Sequence, residues 1–467
     1  LLLAQHSSVE WSRQQFNLSL GGKFRMKKSL RLLSAVALAV SGLITVAILP
    51  ASGAAKAKTV VCYKLSGSAV KSAKFKGHCA TGWSKTKPKT PANSLMGSNK
   101  PGDTDLVVPG STTLNINGSS FDAPLVGVTT SGSTAYSAGG NVTFSAYPAG
   151  GSGSGRTGIT NGSLQIGFSD VPMTSGAGTL PSGVTESNYV QIPYLLGGAV
   201  VGYNLGGGFD GLKLTAAEVA QIYNGTITQW SDPAIVATNG GASSALGKAL
   251  TQLGTANEPK DTIKVLYRAA SSGTTEAFTY WLYDAGNSGI APSGGSAMEG
   301  SGGAWKASNI DGVANNAGMA TTLDATLGSI GYVEYSYVLI PGNSKIQIAS
   351  LQDKNGQWLQ PNLTNIGNAA AAAGTSVTPD NFAIVNEPGN NVWPFATYSW
   401  AIIPKVESSE TVCEAATKYL DWETHYGQSA LAKGEGYVPL PSAAQAYARA
   451  QLETVTSGGT VCLTQKS

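Results

Sequence analysis

The chain has 467 residues, enough for two or three domains with cores of their own, and its 30 basic and 27 acidic side chains leave a net charge of +3. Only 12% of residues are charged, so no global field steers nucleic acid and no nucleic-acid partner is expected. With three histidines a His-rich metal site is excluded, and a Ser-His-Asp triad would have to use His425, which reads more simply as a helix residue near a C-terminus.

In chain order, residues 1–25 read as an upstream, non-native start, with Met26 as the true one. Met26-Lys27-Lys28 and Arg31 precede an apolar run from Leu32 to Leu49, followed by Pro50 and the small residues from Ala51 to Ala57. That is the order of a signal peptide over 26–57, and it predicts an exported protein, periplasmic or at the cell surface or extracellular. The run is long for a cleaved signal, which leaves an uncleaved anchor as the alternative. Four cysteines in an exported chain read as two disulfides. Three pairings are open, and proximity along the chain favours Cys62–Cys79 and Cys413–Cys462. Neither has CxxC spacing, so no zinc or redox role is expected. Residues 58–83 form a small basic module bounded by Cys62 and Cys79, and 84–110 a linker rich in Pro, Ser, Thr and Lys. Contact of 58–110 with an anionic cell-envelope polymer is one reading of these lysines; a solvated spacer is the other.

From residue 111 strands and helices alternate, the pattern of an α/β fold. Strands are predicted at Thr113–Ile116, Asn141–Tyr147, Leu164–Phe168, Tyr194–Tyr203, Ile263–Tyr267, Ile330–Tyr335 and Tyr398–Ile403. A helix over Thr215–Tyr223 opens on a capping box, Thr215 and Glu218, and stops at Asn224-Gly225. Another is predicted from Ser409 to Tyr426, with Gly427 as its stop. Several strands run into glycine- and hydroxyl-rich turns, and the carboxyl edge of such strands is where ligands bind in open α/β sheets.

Four of those turns share one chemistry: Asn117 to Leu125 (NGSSFDAPL), Gly150 to Thr157 (GGSGSGRT), Gly167 to Pro172 (GFSDVP) and Arg268 to Glu276 (RAASSGTTE). Three gather hydroxyls and free backbone N–H groups at an expected helix start, a ready anion site. Taken singly, each is equally an N-cap. The second nearly matches the phosphate loop of nucleotide hydrolases, but the essential lysine position holds Arg156.

Together the four segments resemble the substrate-binding proteins of the high-affinity phosphate ABC transporter, over roughly residues 111–445. Gly118-Ser119-Ser120-Phe121-Asp122-Ala123-Pro124, Ser152 with Ser169-Asp170-Val171-Pro172, and Arg268 through Thr274 follow the family's motifs in order. Asn224 to Pro233, Ser329 to Tyr335 and Trp393-Pro394 support them. The resemblance implies a two-lobed, periplasmic-binding-protein-like (type II) fold with a ligand cleft and two crossover strands. Lobe 1 would comprise 111–200 and 398–467, and lobe 2 residues 201–397, with crossings near Leu196–Tyr203 and Thr397–Ile402. It also implies a monomeric binding protein and not an enzyme, with no cofactor or metal, that delivers inorganic phosphate to ABC transporter permease subunits. Phosphate would be held by Ser120, Phe121, Ser152, Arg268, Ser272, Gly273 and Thr274, with Asp170 accepting the ligand's own proton. A carboxylate suits phosphate, which is protonated near neutral pH, and repels sulfate, which is not.

Two positions depart from the family's pattern. Ala270 stands where an acidic residue often steadies the arginine, so something else must orient Arg268. Asp122 replaces a proline and either closes a capping box with Ser119 or brings a second carboxylate to the anion. The alternatives are a receptor for another oxyanion (sulfate, molybdate or a phosphonate) on the same fold, or a phosphate-ester hydrolase, which the scarcity of histidine disfavours.

Overall fold

The computed structural model describes residues 59–66, 69–76, 85, 108, 110–131, 135–136, 141–173, 185–287, 290, 305–375, 377–379 and 382–463. The expected non-native start, the signal segment, Cys79 and nearly all of the linker lie outside them. Within the basic module, β1 (Thr59–Ser66) and β2 (Ala69–Lys76) pair antiparallel, with Thr59 opposite Lys76.

The first predicted strand proves to be two. β3 (Thr112–Leu114) pairs in parallel with β5 (Val142–Phe144), while β4 (Ile116–Gly118) pairs in parallel with β6 (Ile166–Ser169). Asn115 separates them because its backbone N–H donates to the Gln165 side chain, while its carbonyl accepts from Gln165 and Ile166. Helix α1 (Ala123–Thr130) follows β4 and α2 (Ser152–Thr160) precedes β6. The chain then enters β7 (Tyr189–Asn204), buried along nearly its whole length. Its almost continuous apolar sequence is what a strand covered on both faces requires.

Beyond it, α3 (Ala216–Tyr223) starts at the expected capping box, both of whose hydrogen bonds are present. Then come α4 (Pro233–Thr238), α5 (Ala245–Thr255), β8 (Lys264–Arg268), α6 (Gly273–Asp284), β9 (Ile310–Val313), α7 (Asn316–Ala325), β10 (Ser329–Glu334) and α8 (Tyr335–Val338). Short strands β11 (Gln347–Ile348), β12 (Leu351–Gln352) and β13 (Trp358–Leu359) lead to α9 (Leu363–Ala373). The chain returns through β14 (Ala383–Val385) and β15 (Phe395–Pro404) to α10 (Glu410–Trp422) and α11 (Ser442–Leu452).

One sheet organises these elements, in the order β4-β6-β15-β7-β10-β8-β9, with β11 also on β7 and β14 on β15. β7 is shared: residues 189–198 pair antiparallel with β15 and residues 199–204 with β10. The β7–β15 register slips between Ser399 and Trp400, where Pro193 stands opposite Trp400. Proline has no N–H to give a ladder, and a bulge is where a strand tolerates it.

The helix expected to stop at Gly427 does not. After α10 the coil continues as a wider π-helical stretch, Glu423–Ala432. Buried Gln428 donates to the Tyr194 carbonyl on β7 and to Glu423, which holds the helix past the glycine. Gly427 serves packing instead, since a Cβ there would lie 3.2 Å from Glu423 Cγ. His425 lies within this stretch, its Nδ1 2.8 Å from the Asp421 carbonyl oxygen. Cys413 and Cys462 are disulfide-bonded, with Cα atoms 5.7 Å apart; the Cys62–Cys79 pairing falls outside the described residues.

Candidate anion-binding site

The parallel pairs β4–β6 and β8–β9 end in the turns that the sequence singled out. Ser120 and Phe121 follow β4, Asp170 follows β6, Arg268 closes β8, and Ser272-Gly273-Thr274 open α6. Ser152 is the first residue of α2. All eight are buried, the charged pair included: Asp170 is 0% and Arg268 1% exposed. The N-termini of α1, α2, α6 and α7 thus meet in one region, each with the partial positive charge of its unpaired N–H groups.

Hydrogen bonds join the turns across the sheet. Ser152 Oγ accepts from the backbone N–H of Asp170 at 3.2 Å and of Gly273 at 3.1 Å. Ser120 Oγ accepts from the N–H of Asn316 at 3.1 Å, and Thr274 Oγ1 from Asn316 Nδ2 at 3.4 Å. Ser272 Oγ accepts from Thr275 N–H as the N-cap of α6. A hydroxyl that accepts a fixed N–H still has one proton to donate. The contact is tight, since a Cβ on Gly273 would lie 2.4 Å from Asp170 Cβ and 2.8 Å from Ser152 Oγ. Phe121 is placed beside them with its N–H turned back to Ser119 Oγ at 3.0 Å.

With Ala270 in place of an acid, Arg268 is steadied by a carbonyl: its Nη2 donates to Ala314 at 3.3 Å. Its Nε has no hydrogen-bond partner among the described residues. Burial pushes the guanidinium pKa down, and the Asp170 carboxylate, with nearby tyrosines, opposes that shift. Arg156 donates instead to the Pro172 carbonyl at 3.1 Å, within a helix and away from a phosphate-loop role.

Asp122 does not close a capping box with Ser119, whose N–H donates to the Phe168 carbonyl. It is the N-cap of α1 but makes no side-chain capping bond; its Oδ2 lies 2.7 Å from Ser399 Oγ. The same hydroxyl lies 2.8 Å from Asp170 Oδ1. Burial, and next the neighbouring Asp170, push the Asp122 carboxyl well above its ordinary pKa.

Several contributors were not read from the sequence. Asn316 bridges α7 to Ser120 and Thr274, and its N-cap neighbour Asn315 was the available signal. Tyr337 and Tyr437 donate to the carbonyls of Ser120 and Phe121, both at 2.7 Å. Glu334, bonded to Ser336 and Tyr437, is pushed by burial up to about 8. Ser399 lies on a strand with no local motif. Among the described residues no acidic, His or Cys cluster is arranged to hold a metal ion.

Residues 106–422 match the family described as a PBP superfamily domain. A high affinity periplasmic phosphate-binding protein (PfluDING), solved bound with phosphate, is 21% identical with a TM-score of 0.53; the likeness covers 75% of this chain and 96% of that one. A phosphate binding protein from Stenotrophomonas maltophilia is 20% identical at a TM-score of 0.52, again over 75% and 96%. Fold and family together place the chain in the α/β periplasmic-binding-protein class of type II fold. The phosphate-binding protein PstS of Xylella fastidiosa (strain Temecula1) is 30% identical over 298 residues, 63% of this chain and 73% of that protein. The PstS of Pasteurella multocida is 30% identical over 310 residues, 66% and 81% of the two chains. The chain belongs to the PstS family of phosphate-binding proteins.

Proposed function

We propose that the protein binds inorganic phosphate outside the cytoplasm and delivers it to the permease subunits of an ABC-type importer. The observation that carries this reading is the set of hydroxyls on Ser120, Ser152, Ser272 and Thr274, each already accepting an N–H and left with a proton to donate. They surround a buried Arg268 and a buried Asp170, whose charges cancel. A buried oxyanion needs nearly all its lone pairs satisfied, and neutral O–H and N–H donors do so without adding net charge. In this reading the N–H groups of Phe121 and Gly273 turn to the ligand, Arg268 supplies its positive charge, and Asp170 accepts the P–OH proton. Sulfate has no such proton to give.

The lobes of this reading are 111–200 with 398–467, and 201–397, and the hinge lies in β7 and β15. The shared strand β7 supports it, because β7 changes partner from β15 to β10 at Gly198–Ala199. The Cys413–Cys462 disulfide supports an oxidising, extracytoplasmic location. The test is calorimetric titration of the phosphate-stripped protein with phosphate and then sulfate. One-to-one phosphate binding with weak sulfate binding is expected, and Asp170→Asn should narrow the ratio. Equal affinities for the two anions in the wild type would overturn the assignment.

A further inference from the structure

Ser399 lies on β15 beside the slip in the β7–β15 register, opposite Leu195. Here it aims one hydroxyl between two carboxylates, 2.7 Å from Asp122 Oδ2 and 2.8 Å from Asp170 Oδ1. A serine has a single proton to donate, so it satisfies one carboxylate only. The second short contact is a hydrogen bond only if that carboxyl carries a proton and donates it to the serine oxygen. Both acids are fully buried, and two ionised carboxylates that close in a dry interior are strongly disfavoured.

We propose that Asp122 is a positioning residue for the phosphate site: it carries a proton at neutral pH and, through Ser399, keeps Asp170 the single ionised carboxylate facing the ligand. This rests on the phosphate-binding reading above. The groups that face Asp122 decide which acid holds the proton. Asp170, Glu423 and Glu334 all oppose its ionisation. The hydroxyls of Tyr147, Tyr337, Tyr419 and Tyr437 lie within its field. The buried cation, Arg268, acts on Asp170 instead. Asp122 Oδ1 has no hydrogen-bond partner among the described residues, which suits a neutral acid better than a buried anion. The relay therefore runs from the Asp122 carboxyl proton to Ser399 Oγ, and from the Ser399 proton to Asp170. Without it a second negative charge would stand behind the anion. With it, Asp170 is oriented to accept from P–OH.

The experiment compares the wild type with Asp122→Asn, a neutral residue that can also donate to Ser399. At neutral pH the infrared difference between them should lose the carbonyl stretch of a protonated acid. As pH rises through the loss of that band, wild-type affinity should fall relative to the variant by about tenfold per pH unit. If the difference loses carboxylate bands instead, or the affinity ratio stays constant while the acid band disappears, the inference is overturned. Should the variant not fold, Ser399→Ala serves: losing the acceptor must shift the acid band to higher frequency, and an unmoved band overturns the shared hydroxyl. A wild type that binds no phosphate would instead sink the parent reading, while one that binds it but shows no protonated Asp122 sinks this inference alone.

Discussion

Ser152 carries more of the site than a lone hydroxyl usually does. Its oxygen holds the N–H groups of Asp170 and Gly273, one on each of two turns. Ser152→Ala leaves both donors buried without that acceptor and removes the proton that the proposed site would give its ligand. The expected loss is ~1–3 kcal/mol of phosphate binding, roughly ten- to a hundredfold, read by calorimetry on a variant with unchanged circular dichroism. Glu334 makes a prediction of opposite character. Burial lifts its pKa from 4.5 to about 8, so the unfolded chain releases this proton at lower pH than the folded one. Stability on this account declines as pH climbs from about 4.5 to about 8 and is flat beyond. Glu334→Gln should therefore gain on the wild type across that window, by a few kcal/mol at most near pH 8, and match it near pH 4.5. Denaturant unfolding at the two pH values checks the sign. Local motifs announced Ser120, Ser152, Asp170 and Arg268 because each lies in a turn whose composition is unusual by itself. Ser399 and Asn316 were silent, since each reaches the site alone from an element whose sequence signals only a strand or a helix.

At the scale of elements, the approach of α6 to the turn after β6 depends on Gly273. A Cβ at this position meets Asp170 and Ser152, although alanine would suit the first turn of a helix better than glycine does. Gly273→Ala is thus expected to cost ~1–3 kcal/mol by overpacking, seen as a lower melting temperature and weaker ligand binding together. A variant that binds phosphate as tightly as the wild type would show that α6 does not close on Asp170. The helices that the sequence announced well, such as α3, have both ends written in caps. The π-helical stretch was misread for the complementary reason. Gly427 is a stop signal locally, and only the buried Gln428–Tyr194 and Gln428–Glu423 bonds, invisible along the chain, carry the coil on to Ala432.

For the molecule as a whole, the Cys413–Cys462 bond closes a loop of 49 residues around α10 and α11. Chain-entropy reasoning assigns such a loop about 4 kcal/mol, so the Cys413→Ser/Cys462→Ser double variant should unfold at clearly lower denaturant. A difference below about 1 kcal/mol would mean that packing of α10 and α11 already restrains these segments. The α/β alternation was legible throughout, because every predicted strand has a counterpart in the structure, whereas partner order was not: nothing in the sequence of β15 says that it inserts between β6 and β7. That insertion governs the order of assembly. β6 and the first half of β7 find their common neighbour only when a strand made much later arrives, while the ladder of β10, β8 and β9 with the second half of β7 is built from one continuous stretch. The continuous half can therefore form first and offer β7 as a template. The interrupted half, which carries Ser120, Ser152 and Asp170, must wait, exposed, for its last strand.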